Sequence, residues 1–214
     1  MERFMEAIWQ FLVKGGITMI PLGLCSVVGL AVVIEKAISL RTKRILIPEV
    51  MAVAENLSSP KDATLVLAVC EKHRGPLPNI IRTALVHRDL PREEMKELII
   101  DQGRQEVRVL ERGLLALETV AAISPLLGLF GTVLGIFELF EVIGRIGVGH
   151  VAEVSGGIAE AIITTITGLA IGIPALVAFN YFTSRAENLV LDIERCTSEL
   201  LLKLKHFEVD RAIS

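Results

Sequence analysis

The chain reads as an all-α integral membrane protein with three transmembrane helices, two of them extended into long cytoplasmic helices. Three observations carry that expectation. Residues 17–34, 119–137 and 161–184 are each free of charge. Mean hydropathy is +0.58, yet 22% of residues are charged, a mixture that calls for apolar spans joined to parts that live in water. Beyond the second and third runs, apolar residues recur at steps of three and four, the period of one helix face.

A helix needs about 20 apolar residues to cross a hydrocarbon core of roughly 30 Å. The first two runs only just reach that length, and flanking residues can snorkel, or the bilayer thin slightly, to make up the difference. The expected layout begins with an amphipathic periplasmic segment at 1–16 and a first span at 17–40. That span lacks a small-x-small cleavage site. It runs instead into Glu35-Lys36 and a basic stop at Arg41, Lys43 and Arg44, so it reads as a retained helix and not a signal peptide.

A helical cytoplasmic region follows at 41–118. Pro48 and Pro60 punctuate its start, a helix is expected over 62–74, and Gly75-Pro76-Leu77-Pro78 reads as a turn before a second helix over 80–87. Leu90-Pro91-Arg92-Glu93-Glu94 reads as a helix start, with Pro near the first position and acids in the first turn. Met95, Ile99, Gly103, Val107, Leu110, Leu114 and Leu117 then form one apolar stripe. The reading is one long helix that continues into the second span at 119–140.

A periplasmic link at 141–155 leads to the third span at 156–184 and a helical cytoplasmic tail at 185–214. The tail carries a second stripe, Leu189, Ile193, Cys196, Leu200, Leu204 and Phe207. Each extension is too thin to bury its stripe alone, so the two should pack together or against neighbouring subunits. Positive charge sets the orientation. Lys and Arg crowd the middle region and the tail, whereas the amino-terminal segment has only Arg3 and Lys14 and the link only Arg145. The amino terminus is therefore expected outside and the carboxyl terminus in the cytoplasm.

Several function classes find no support. The net charge of −3 gives no reason to expect nucleic acid. Cys25, Cys70 and Cys196 show no CxxC or metal-like spacing and read as three unpaired thiols. No GxSxG or HExxH motif occurs, and no His or Cys stands with an acid at ligand spacing in the spans, so no enzyme, metal or cofactor is expected.

Within the spans, Gly131 and Gly135 form a GxxxG pair, Ser124 and Gly128 a small-xxx-small pair, and Gly168 and Gly172 repeat the spacing. Small residues let helix backbones approach closely in lipid, where hydrophobicity alone does not drive association. Pro21 and Pro125 sit near span starts, and Pro174 is a kink candidate. Thr132, Thr164, Thr165 and Thr167 place hydroxyls inside apolar runs; each could simply bond back to its own helix carbonyl.

Glu160 opens the third span and has two readings. It either marks the outer interface or lies at lipid depth, where a charged acid costs roughly 2.5–3.5 kcal/mol on insertion scales. Burial favours the neutral acid, and such a group can load and release protons. On an ideal helix Thr164, Thr167 and Ile171 share the Glu160 face, and Thr165 lies roughly 140° away.

LERGLLALETVAAISPLLGLFGTVLGIFELF followed by GGIAEAIITTITGLAIGIPALVAFNYF resembles the MotA/TolQ/ExbB proton-channel family, on the ExbB/TolQ side. The likeness extends over most of the chain. The four-span MotA branch fits less well, because this chain has three spans. The resemblance implies a homopentamer in the bacterial inner membrane whose second and third spans line a lumen. It also implies an ExbD/TolR-type single-span partner and a TonB- or TolA-type energy transducer, with proton-motive force driving the work. By position, the family's span-three acid falls on Glu160, its span-two lumen threonine on Thr132, and its span-three threonine on Thr165, with Thr164 in reserve. Two alternatives stand beside TonB-dependent uptake: a TolQ-type subunit for envelope maintenance, and a non-conducting oligomeric scaffold.

Overall fold

The computed structural model describes residues 15–55, 62–88, 90–146 and 151–213. Every regular element among them is a helix, so the all-α class holds. In chain order these are α1 (Met19–Ser39), α2 (Thr42–Ile45), α3 (Pro48–Glu55), α4 (Asp62–Lys72), α5 (Pro76–Val86), α6 (Arg92–Glu111), α7 (Leu114–Ile146) and α8 (Val151–Ile213). Three stretches are long and apolar enough to cross a membrane: Met19–Ser39, Glu93–Arg145 and Gly156–Glu199. The protein is an integral membrane protein. The described chain divides into two compact units, one holding residues up to Glu35 with Gly113–Tyr181, the other Lys36–Arg112 with the chain from Phe182 onward.

The first unit joins most of α1, all of α7 and the first part of α8. Its interior is small: Leu22, Leu117, Val120, Ala121, Ser124, Ala161, Thr164 and Ala175 are buried. Gly29 brings α1 close to α7, for a Cβ there would lie 3.3 Å from Val120 Cγ1. The outer faces are apolar, with Ile20, Leu24, Val27 and Leu30 of α1 and Leu126, Phe130, Val133 and Phe137 of α7 exposed. In water that pattern would be a liability; in lipid it is the required surface. Glu141 and Arg145 pair one turn apart near the end of α7. Helix α8 passes through Pro174 without interruption and continues from the third span into the tail as one element of 63 residues.

The second unit layers α3 on α4, α4 on α5 and α5 on α6. Two sequence expectations need correction here. Helix α5 begins at Pro76, so the stretch read as a turn is its first turn. Pro76 and Pro78 fit there because first-turn N–H groups have no intrahelical acceptor to lose. The long helix read from Arg92 into the second span is interrupted at Arg112–Gly113. Arg112 is extended (φ −54°, ψ 127°), and Gly113 adopts φ 90°, a conformation that glycine reaches without steric cost.

The α6 stripe is buried at Met95, Ile99 and Leu110. Glu106 joins that buried face. Its carboxylate accepts from Asn79 Nδ2 at 2.8 Å and Gln102 Nε2 at 2.9 Å, so the acid is satisfied by amides. Lys36 is only 1% exposed, and its Nζ donates to the Leu110 carbonyl at 3.0 Å. That carbonyl lies in the last turn of α6, where acceptors lack helical donors and the helix dipole favours a cation. Arg185 donates to the Thr42 hydroxyl. In the tail, Leu189 and Ile193 are buried as the stripe predicts; the side chains of Leu200, Leu204 and Phe207 lie outside the described residues.

Cys70 is buried in α4. Burial pushes its thiol up from 9.0 to about 11, with Arg82 acting weakly the other way. The thiolate is the reactive form, so alkylation of Cys70 in the folded chain should lag that in the urea-unfolded chain by about 100-fold at neutral pH. The lag should close as pH rises past the folded value. The sign for stability follows. The unfolded thiol ionises first, so this contribution is full below pH 9.0 and is lost progressively as pH rises toward about 11.

Candidate functional site

The approach of α7 to α8 is set by the glycines that the sequence singled out. A Cβ at Gly128 would lie 2.8 Å from the Thr164 carbonyl oxygen and 3.2 Å from Gly168 Cα. One at Gly168 would lie 2.5 Å from the Ser124 carbonyl oxygen and 3.0 Å from Gly128 Cα. Gly135 faces Ala161, at 3.1 Å from its Cβ, and Gly172 faces Pro125, at 2.7 Å from its ring carbons. These distances leave no space for a side chain. Two backbones touch along a ridge of missing methyl groups.

That contact brings two of the predicted hydroxyls together. Thr132 Oγ1 of α7 is hydrogen-bonded to Thr165 Oγ1 of α8. Thr132 Oγ1 also lies 2.9 Å from the Ala161 carbonyl oxygen and 3.2 Å from that of Gly128. Thr165 Oγ1 lies 3.2 Å from the same Gly128 oxygen. Each hydroxyl has one proton to donate. The shorter distance favours Thr132 donating to Ala161, which leaves Thr165 to donate to Thr132 or to Gly128. Rotating the two hydroxyls reverses the direction of this short chain without moving a heavy atom. Both side chains are half-buried.

The other threonines behave differently. Thr164 is 1% exposed and bonds back to the Ala161 carbonyl at 2.7 Å. Thr167 bonds back to Ile163 at 2.8 Å. These two, which an ideal helix places on the Glu160 face, satisfy their own helix. Thr165, which that geometry places elsewhere, faces α7. Glu160 itself falls within α8; its side chain lies outside the described residues.

One residue escaped the sequence reading. Thr18, just ahead of α1, is 6% exposed. A Cβ on Gly131 would lie 2.7 Å from its Oγ1 and 2.8 Å from Thr164 Oγ1. The only signal in the sequence was a hydroxyl at the very start of a charge-free run. Among the described residues, no three His, Cys, Asp or Glu side chains gather as a metal site would require.

Fold and site together define a three-span helical membrane protein whose second and third spans meet backbone to backbone around a threonine pair. Residues 72–195 match the MotA/TolQ/ExbB proton channel family, and the chain belongs to that family. The match takes in Thr132, Glu160 and Thr165. Among similar proteins, biopolymer transport protein ExbB of Neisseria gonorrhoeae is 32% identical over 144 residues, 61% of this chain and 66% of that protein. The match therefore covers just short of two thirds of that relative's length. A protein named ExbB-like 3 from Synechocystis sp. is 30% identical over 200 residues, 90% of this chain and 93% of its own. Tol-Pal system protein TolQ of Pseudomonas aeruginosa is 44% identical over 86 residues, 40% of this chain and 37% of that protein.

Proposed function

We propose that the chain is a proton-channel subunit of the bacterial inner membrane that works with an ExbD/TolR-type single-span partner. Together they convert proton-motive force into mechanical work for TonB-dependent uptake, passed on through a TonB-type transducer. The observation that carries this reading is the Thr132–Thr165 pair, held between two spans of a chain in a proton channel family.

In the proposed arrangement the amino terminus is periplasmic, the tail cytoplasmic, and five copies surround the partner helices. Glu160 exchanges protons, and Thr132 and Thr165 pass or order hydrogen bonds beside it. A protonatable acid with few other ligands suits H⁺ better than Na⁺, which needs a fuller oxygen shell. Each proton that crosses yields about 2.3 kcal/mol per 100 mV. The second reading is a TolQ-type subunit for envelope maintenance, which the 44% identity to the Pseudomonas protein favours over that shorter stretch.

Magnitudes separate function from packing. Interhelical hydrogen bonds in membranes contribute about 0.6 kcal/mol on average. The hydroxyl pair is therefore a small part of what holds α7 to α8. The double variant Thr132→Val/Thr165→Val should assemble at the wild-type level. In proteoliposomes that also contain the single-span partner, its proton flux should fall about tenfold, less than the roughly 100-fold or more that a positioned proton-transfer group supplies, because the hydroxyls order hydrogen bonds without ionising. Unchanged flux would remove the threonine pair from the path.

A further inference from the structure

The first span has no part in the site as described so far. It supplies neither the acid nor the threonine pair. Yet its first residues touch the same network. Gly131 of α7 carries no side chain, and the space beside it is taken from two sides. A Cβ there would meet Thr18 Oγ1 at 2.7 Å, Thr164 Cβ at 2.7 Å and Thr164 Oγ1 at 2.8 Å. Two threonines, one ahead of α1 and one within α8, are thus seated on one glycine of α7.

Both are buried and both are tied down. Thr18 Oγ1 donates to the Gly15 carbonyl at 3.3 Å, while the Thr18 carbonyl accepts from the Leu22 N–H at 3.4 Å in the first turn of α1. Leu22 is fully buried one turn on. Thr164 Oγ1 donates to the Ala161 carbonyl, and that oxygen also accepts from Thr132 Oγ1. Thr18 and Thr164 therefore crowd the same glycine, and hydrogen bonds run on from Thr164 through the Ala161 carbonyl to Thr132 and Thr165. All of it lies within one compact unit.

We propose that Thr18 is a positioning residue for the threonine pair: seated on Gly131, it fixes Thr164 and the Ala161 carbonyl, and so the register in which α8 offers Thr165 to Thr132. The first span is then part of the proton-handling apparatus as well as a membrane anchor. Thr18 Oγ1 and the Thr164 side chain both occupy the bare side of Gly131, and close-packed contacts transmit displacement. Thr18 acts through Thr164, and its own hydroxyl bonds to the Gly15 carbonyl.

The proposal rests on the proton-channel reading, and the test keeps the two apart. Full-length chain is reconstituted with its single-span partner, and proton flux is measured for Thr18→Val, Thr18→Ser, Thr164→Val and Thr18→Val/Thr164→Val, with Glu160→Gln as reference. Thr18→Val keeps the shape and removes the hydroxyl that ties Thr18 to the Gly15 carbonyl ahead of α1. It should lower flux about fivefold, within the range that such indirect couplings produce. Thr18→Ser should stay near wild type. If Thr18 acts through Thr164, the double variant should be no lower than Thr164→Val.

Wild-type flux in Thr18→Val, equal losses in the Ser and Val variants, or losses that multiply in the double variant would each overturn the proposal. Absence of flux in the wild-type chain would instead overturn the channel reading on which it rests. Should Thr18→Val fail to insert, geometry supplies the second test. With Cys25, Cys70 and Cys196 replaced by serine, Thr18→Cys and Thr164→Cys should cross-link on mild oxidation in membranes, and failure to cross-link would count against the shared seat.

Discussion

Glu160→Gln should cut proton flux about 100-fold, the lower range for loss of a positioned acid–base group, while the assembled protein stays at its wild-type level. Glutamine keeps the volume and most of the hydrogen-bonding capacity of the acid but cannot take up and release a proton at any accessible pH. A motor subunit that depends on that exchange stops. A non-conducting scaffold built from the same helices keeps its partner and its activity. Flux measured in proteoliposomes, alongside co-purification of the single-span partner, separates the two outcomes. If energised activity persists, the acid is an interfacial marker and the proton route lies elsewhere. A wild-type chain that binds its partner but carries no flux would instead be the non-conducting scaffold.

Gly168→Val is expected to do the opposite, destroying assembly before function can be asked about. The new Cβ would begin 2.5 Å from the Ser124 carbonyl oxygen and 3.0 Å from Gly128 Cα. Both are backbone atoms, so no rotamer change relieves the contact, and α7 and α8 must separate. Overpacking a close contact typically costs about 1–3 kcal/mol. Here it also removes the close approach on which association in lipid depends. The expected result is loss of the monodisperse species on size-exclusion chromatography in mild detergent, with a lowered melting temperature for what remains. Gly23→Ala is the control: a Cβ at Gly23 meets nothing within 4 Å in the protomer. A Gly168→Val protein that purifies and melts like wild type would mean that the α7–α8 contact does not hold the protein together.

The two substitutions sit eight residues apart on one helix, yet they test different layers. The glycine ridge sets the close contact of α7 and α8, and the proposed proton chemistry belongs to the polar groups. The hydroxyl bonds are too weak to hold the spans and the glycines too inert to move a proton.

Much of this was legible in the chain. Bilayer thickness imposes a length and an absence of charge on any spanning helix, so the three spans announced themselves. The glycine pairs were readable for a related reason: in lipid, small residues at four-residue spacing have few other uses. Thr132 and Thr165 came from family resemblance and not from periodicity, which had pointed to Thr164 and Thr167 instead. Periodicity says which residues share a face of one helix. It does not say which face a neighbouring helix covers. The structure bonds Thr165 to Thr132 of α7, while Thr164, seated against Gly131, and Thr167 bond to their own helix carbonyls.

The same limit explains the remaining differences. Glu106 entered a buried face because Asn79 on another helix and Gln102 one turn away offered amide donors, a pairing that no local pattern records. Gly113 broke a helix that the apolar stripe carried straight through, because a stripe reports burial and not the backbone angle of a single residue. Thr18 became part of the site only when the chain brought the start of α1 to the bare side of Gly131. Spans, class and composition follow from one-dimensional constraints that solvent imposes on each segment separately. The meeting of Thr18, Thr164 and Gly131, and of Thr132 with Thr165, depends on the rotation and height of whole helices against one another, and those are set by many contacts distant in the chain.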